Sequence, residues 1–276
     1  MNPPRESRLC LEDGEVEYRV IEGDSALPTL VFLHEGLGAA ALWRDFPDRV
    51  AAATGAAALV YSRLGYGSSS PAPGGAFPLD YMHIEAERRL PALLTALGIQ
   101  QPLLVGHSDG GSIALIYAGT FPESVAGLIL MAPHVFVEDC TAGACAAARR
   151  AFDEGDLAAR LARWHQDATR TFDAWNLAWT DPRFRDWNIE GCLPKVIAPL
   201  LAFQGEADPY GTREQTDRIA CQVSGSADIV LLPDCGHAPW REAPNIVLPT
   251  IAAFAARIAN DADLQAATYY RSDSGR

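Results

Sequence analysis

The chain has 276 residues, 49% hydrophobic and 21% charged, an ordinary balance for a soluble globular protein. That length suits one large α/β domain, or a core with a small insert. A formal net charge of −13 argues against nucleic-acid binding, which needs a basic face, and disfavours anionic membranes and substrates at long range.

In chain order, the polar start Met1 to Arg8 is not followed by a signal-peptide apolar core, and no apolar run approaches the roughly 18 residues of a membrane span. A cytoplasmic location is expected, with no membrane partner. Apolar β-prone runs recur at Glu15 to Ile21, Thr29 to Leu33, Ala57 to Tyr61, Pro102 to Val105, Val125 to Met131, Leu200 to Gln204 and Ile229 to Leu232. Between most of them lie helix-like segments: Ala40 to Ala53, Tyr81 to Leu97, Gly111 to Thr120, Arg213 to Val223 and Asn245 to Ile258. This alternation predicts a mostly parallel sheet covered by helices on both faces. The first two strands, separated by Gly23-Asp24-Ser25, read as an antiparallel, hairpin-like entry. Pro91 removes a backbone donor and should kink or restart the second helix.

The rhythm breaks between His134 and Pro194, where helical spacing appears in Ala146 to Phe152 and Leu157 to Asp167. This predicts a helical cap insertion at 134–194, with the core formed by 1–133 and 195–276. Trp175 and Trp179 in the insert are candidate pocket residues, although holding the insert to the core would explain most of its tryptophans. His165 reads as a surface helix residue. The tail Ala267 to Arg276 is polar and reads as frayed. Cys10, Cys140, Cys145, Cys192, Cys221 and Cys235 are scattered and read as reduced structural thiols. Cys140 and Cys145 lack a nearby Cys/His pair to complete a metal site, and no phosphate-cradling motif occurs, so no metal or cofactor is expected.

The most informative stretch is Leu104-Val105-Gly106-His107-Ser108-Asp109-Gly110-Gly111. A strand feeds a serine bracketed by glycines, and a helix follows at once. Such a turn strains the serine backbone and pushes its hydroxyl into the open. Gly106 and Gly110 are small because strand and helix cross there. A serine hydroxyl needs a neighbouring base, and the base an orienting acid. Asp208, past the strand ending at Gly205, and His237, past the strand ending near Leu232, are the candidates, with Glu206 and Asp234 as competing acids. Both lie just beyond C-terminal strand ends, where open α/β sheets place their sites.

His34-Glu35-Gly36-Leu37-Gly38, Arg63-Leu64-Gly65-Tyr66-Gly67, Gly106-His107-Ser108-Asp109-Gly110, Gly205-Glu206-Ala207-Asp208 and Gly236-His237 together resemble the α/β-hydrolase superfamily over nearly the whole chain. The Ser108-Asp109-Gly110-Gly111 turn and the insert also resemble its valacyclovir-hydrolase and meta-cleavage-hydrolase branches. The resemblance implies an α/β-hydrolase fold and a serine hydrolase acting on a small carboxyl ester or related acyl compound. Ser108 is implied as nucleophile, His237 as general base and acid, and Asp208 as the residue orienting the imidazole. The backbone N–H of Asp109 and that of Gly36, or alternatively Leu37, are implied as oxyanion donors.

Two departures stand out. Glu35 replaces the family's usual glycine, and Asp109 follows the nucleophile. In the valacyclovir-hydrolase branch an acid there is associated with a substrate amine, so Glu35 and Asp109 are candidate contacts for cationic or amino esters. The plainer alternative is that Asp109 favours the helix N-terminus. Ser62, where many relatives carry Asp, carries no inference. A carbon–carbon hydrolase of ring-cleavage products and a receptor-like fold with residual turnover remain alternatives. Perhydrolysis uses the same three residues, whereas serine at 108 disfavours dehalogenation and epoxide hydrolysis. The expected partner is a small-molecule substrate; homo-oligomerisation stays open.

Overall fold

The computed structural model describes residues 7–75 and 77–273, with side chains described up to residue 260 apart from that of residue 75. The described residues form an eight-stranded sheet, order β1-β2-β4-β3-β5-β6-β7-β8. The strands are β1 (Ser7–Leu11), β2 (Gly14–Ile21), β3 (Leu30–Leu33), β4 (Ala58–Tyr61), β5 (Leu103–His107), β6 (Gly127–Met131), β7 (Leu200–Gly205) and β8 (Ala227–Leu232). From β4 to β8 all pairings are parallel; β1 and β2 are antiparallel.

The entry differs from the hairpin expected of the first two apolar runs. β2 pairs with β1 on one side and β4 on the other, and β3 lies beyond β4. The hairpin is β1–β2, turning at Glu12-Asp13. Its first strand alternates half-buried and exposed side chains at the sheet edge, so it lacks the continuous apolar run that marks a buried strand.

The central strands β3 to β7 are buried at every position because both faces are covered. On one face Val31, Leu33, Leu59, Tyr61, Leu104, Leu128 and Leu130 pack into a cluster with α2 (Tyr81–Ile84), α3 (Leu90–Ala96) and α4 (Asp109–Thr120). On the other, Leu30, Phe32, Ala58, Val60, Leu103, Val105 and Ile129 meet α1 (Phe46–Thr54) and the C-terminal helix. Odd and even positions of each strand divide between the two clusters, as a period of two requires. Each fully buried Leu, Val or Phe side chain contributes roughly 1.5–3 kcal/mol. Pro91 does restart its helix: residues Glu85–Arg89 form a π turn between α2 and α3, and Pro91 stands in the first turn of α3.

Between β6 and β7 the segment is helical: α5 (Asp139–Glu154), α6 (Leu157–Leu161) and α7 (Ala168–Thr180), then two 3-10 turns. Phe152 stacks on Phe172 at 4.1 Å, and Asn176 Nδ2 donates to the Cys145 carbonyl at 2.8 Å, joining α5 to α7. The helix expected over 157–167 stops at Leu161. α8 (Arg213–Gln222), α9 (Pro239–Glu242) and α10 (Pro244–Asp273) complete the chain. Of the expected frayed tail, 274–276 lie outside the described residues, and the rest continues α10. All the cysteines are free. No helix among the described residues is long and apolar enough to cross a membrane, and no group of metal-ligating side chains occurs among them.

Candidate active site

β5 runs straight into Ser108, whose φ of 52° and ψ of −119° lie in a region L-residues avoid. A backbone held there costs on the order of 1–3 kcal/mol. The surroundings fix it: the Ser108 amide donates to the Met131 carbonyl at 2.9 Å, and the Ser108 carbonyl accepts from Gly111 at 2.8 Å and Ser112 at 3.1 Å. A Cβ on Gly106 would overlap the Gly110 backbone, and one on Gly110 would overlap the Leu33 carbonyl. The two glycines allow helix α4 to start against strands β3 and β5.

The Ser108 hydroxyl donates to His237 Nε2 at 2.9 Å, and His237 Nδ1 donates to the Asp208 carboxylate at 2.8 and 2.9 Å. Asp208 also accepts from the Tyr210 amide at 2.8 Å and from Gln204 Nε2 at 2.9 Å. Desolvation of this buried carboxyl acts upward on its pKa, but the His237 hydrogen bond and charge and the Tyr210 N–H outweigh it and hold the pKa below its ordinary value. The competing acids Glu206 and Asp234 are exposed. Glu242, unremarked in the sequence, accepts from the amides of Gly236 at 2.7 Å and Ala238 at 3.1 Å, bracing the turn on both sides of His237.

The loop after β3 is pinned by its carbonyls. Buried His34 donates from Nδ1 to the Glu35 carbonyl at 2.7 Å and accepts the Arg63 amide on Nε2 at 3.1 Å. The Arg63 guanidinium donates to the carbonyls of His34 and Glu35. His165 corrects the expectation of a surface residue: it is buried, accepts from the Gly67 amide at 2.9 Å and donates to the Leu37 carbonyl at 3.1 Å. With these oxygens held, the amides of Gly36 and Leu37 have no acceptor among the described residues; nor has that of Asp109.

Glu35, Gly36, Leu37, Ser108, Asp109, Trp175, Trp179 and His237 all line one cavity of about 140 Å³. The Glu35 carboxylate is partly exposed, and its Oε2 lies 3.3 Å from His107 Nδ1. Desolvation acts upward on this carboxyl, yet the hydrogen bond and charge of His107 bring its pKa down to about 2. Asp109 accepts from the Tyr81 hydroxyl at 2.5 Å, and that hydroxyl accepts from Trp179 Nε1 at 3.0 Å. Burial pushes the Asp109 carboxyl up, against the pull of Arg63 and Tyr81. Trp175 packs on Gly36 so closely that a Cβ on Gly36 would overlap its indole Nε1.

The cavity wall also includes His134, Thr141 and Tyr210, which sequence reasoning did not single out, and Cys145, which it read as a structural thiol. For His134 a signal existed: it lies just past the end of β6, between the strands that deliver Ser108 and Asp208.

The fold agrees with the comparisons. The chain is 27% identical over 283 residues to a proline iminopeptidase of Lactobacillus helveticus (strain DPC 4571), covering 86% of this chain and 92% of the other. It is 29% identical over 187 residues to the human serine hydrolase BPHL, 63% of this chain and 60% of that protein. Among solved structures, MGS-M2, an alpha/beta hydrolase enzyme from a Medee basin deep-sea metagenome library, superposes with a TM-score of 0.74 at 20% identity, covering 90% of this chain and 96% of that one. A sequence model of the alpha/beta hydrolase family matches residues 30–249, and this protein is a hydrolase belonging to that family.

Proposed function

We propose that the protein is a serine hydrolase that cleaves a small carboxyl ester or related acyl compound through an acyl-enzyme, with 134–194 as a cap over the site. The observation that carries this reading is the unbroken chain from Ser108 Oγ through His237 to Asp208, at 2.9 and 2.8 Å. Ser108 Oγ attacks the acyl carbonyl as His237 Nε2 takes its proton. The resulting oxyanion accepts hydrogen bonds from the Asp109 and Gly36 amides, with Leu37 as the alternative to Gly36. His237 then protonates the leaving group, which departs as the acyl-enzyme forms. Water, deprotonated by His237, attacks the acyl-enzyme, and collapse releases the carboxylic acid and restores Ser108. Losing one oxyanion donor costs roughly 3–4 kcal/mol in other enzymes. No step calls on a cofactor.

A cavity of about 140 Å³ is close to the engineered 150 Å³ cavity that admits benzene, which favours a compact acyl group. The carboxylates of Glu35 and Asp109 on its wall favour a cationic or amino-bearing substrate, as does the likeness to a proline iminopeptidase.

Labelling with a fluorophosphonate tests the nucleophile. The wild type should be labelled and Ser108→Ala should not; labelling that survives the substitution removes the assignment. A panel of acyl esters, prolyl amides and a chromogenic dienoate then separates ester, amide and carbon–carbon cleavage. An amino-acid ester set against its des-amino analogue tests the amine preference, and equal kcat/KM for the pair refutes it.

A further inference from the structure

We infer that His134 is a substrate-recognition residue, whose neutral imidazole hydrogen-bonds a hydroxyl or carbonyl oxygen carried by the substrate beside the bond that is cleaved. This rests on the serine-hydrolase reading and narrows its substrate class to oxygen-bearing acyl compounds.

The residue is 2% exposed and lines the cavity with Ser108 and His237. Neither ring nitrogen has a hydrogen-bond partner among the described residues, and Nδ1 is fully buried without one. The Nδ1 and Cε1 edge of the ring faces Gly211, which does not line the cavity, so Nε2 is the nitrogen a substrate can reach. A buried polar atom without a partner is costly, and native proteins retain few such atoms. Packing does not explain it. The ring meets Trp179 edge-on at 5.4 Å and lies 5.8 Å from the His237 ring; a phenylalanine would make both contacts with no nitrogen left unsatisfied. The backbone is held independently of the ring, since the His134 carbonyl accepts from Ser112 Oγ at 2.6 Å.

The chemistry of the partner follows from the charge state of the ring. Burial, aided by the charge of His237, pulls the His134 pKa down to about 3, so the imidazole is neutral in ordinary buffers. A neutral ring offers one N–H donor and one nitrogen acceptor. With the proton on Nε2 the ring donates to a hydroxyl or carbonyl oxygen; with the proton on Nδ1, Nε2 accepts from a hydroxyl. A plain alkyl substrate leaves the nitrogens as they are. A site built to bond a polar group discriminates strongly against the analogue lacking it.

The experiment compares kcat/KM within matched pairs: 4-nitrophenyl butyrate against 4-nitrophenyl 3-hydroxybutyrate, and ethyl butyrate against 2-hydroxyethyl butyrate. The wild type should favour the oxygenated member of at least one pair by roughly ten- to hundredfold. In His134→Phe that ratio should fall to about one, and in His134→Gln, which keeps a donor and an acceptor, part of it should return. Equal rates within both wild-type pairs overturn the inference without any variant, as does a ratio that survives His134→Phe. Fluorophosphonate labelling of wild-type Ser108 separates the two levels. Without labelling the serine-hydrolase reading itself fails; with labelling but no preference, only the role of His134 falls.

Discussion

His165 and Leu37 stand 128 residues apart, yet a 3.1 Å hydrogen bond runs from the imidazole Nε2 to the Leu37 carbonyl. The other ring nitrogen accepts the Gly67 amide. One histidine of the helical segment thus holds the loop whose residues Glu35, Gly36 and Leu37 line the cavity. His165→Ala should cost on the order of 1–3 kcal/mol of stability, measured by urea unfolding. If the loop amides are the oxyanion donors proposed above, it should also slow acyl transfer by roughly tenfold or more, because small displacements of such donors are expensive. A variant equal to wild type in fluorophosphonate labelling rate would show that the loop needs no such anchor.

Asp208→Asn should lower kcat on the order of 10⁴-fold while leaving substrate affinity similar. The reason is local. The Tyr210 amide and Gln204 Nε2 both donate to this carboxylate. They reach different oxygens, Oδ1 and Oδ2, and His237 Nδ1 reaches both, so whichever way an asparagine is turned its NH₂ stands against His237 Nδ1 as well as against one of these donors. The imidazole then carries its proton on Nε2, where it cannot accept from Ser108. Wild-type activity should itself fall on acidification, since a protonated imidazole accepts nothing. A flat rate from pH 5 to 8 contradicts a histidine base.

Glu35 makes stability depend on pH. Its folded pKa of about 2 lies below the ordinary 4.5, so the unfolded chain binds the proton more readily. The stabilisation is therefore fully present above about pH 4.5 and is lost as pH falls towards 2. Asp208 shifts in the same direction. In urea titrations Glu35→Gln should be less stable than wild type at pH 7, by on the order of 1–3 kcal/mol, and the gap should narrow at pH 3. A gap that is constant with pH would mean that the charge of Glu35 contributes nothing.

The glycines of the nucleophile turn should be intolerant in different ways. Gly110→Ala drives a Cβ into the Leu33 backbone, which cannot give way without parting α4 from β3. The expected loss is about 3 kcal/mol or more, read as insoluble protein or a much lower Tm. Gly36→Ala meets a side chain, the Trp175 indole, which can rotate. Its main effect should be on kcat/KM, with a smaller loss of stability.

Much of this was legible in the sequence because it depends on local pattern. The buried parallel strands show as unbroken apolar runs, and Gly-x-Ser-x-Gly between a strand and a helix marks the turn at Ser108. Asp208 and His237 were legible because each follows a strand end. What was hidden depends on distant contacts. Edge strand β1 has no continuous apolar signature, and the partner of β2 is set by crossover topology, not by its nearest neighbour in sequence. His165 looks like any helix-surface residue until the Leu37 carbonyl arrives from 128 positions away. Tyr210 acts through its backbone amide, which leaves no mark on residue type, and the Glu242 carboxylate serves the amides of Gly236 and Ala238, which no side chain there announces.

The π turn over Glu85–Arg89 sets the phase between the two halves of its helix. An α-helix advances about 100° per residue, so one extra residue in the winding rotates everything downstream by that amount relative to everything upstream. Tyr81, before the turn, points to Asp109, while Leu90, Leu93 and Leu94, after it, point into the sheet core. Deleting a single residue between 85 and 89 would restore regular winding and force a choice: the tyrosine stays at the cavity and the leucines swing outward, or the leucines stay buried and the Asp109 carboxyl loses its hydroxyl.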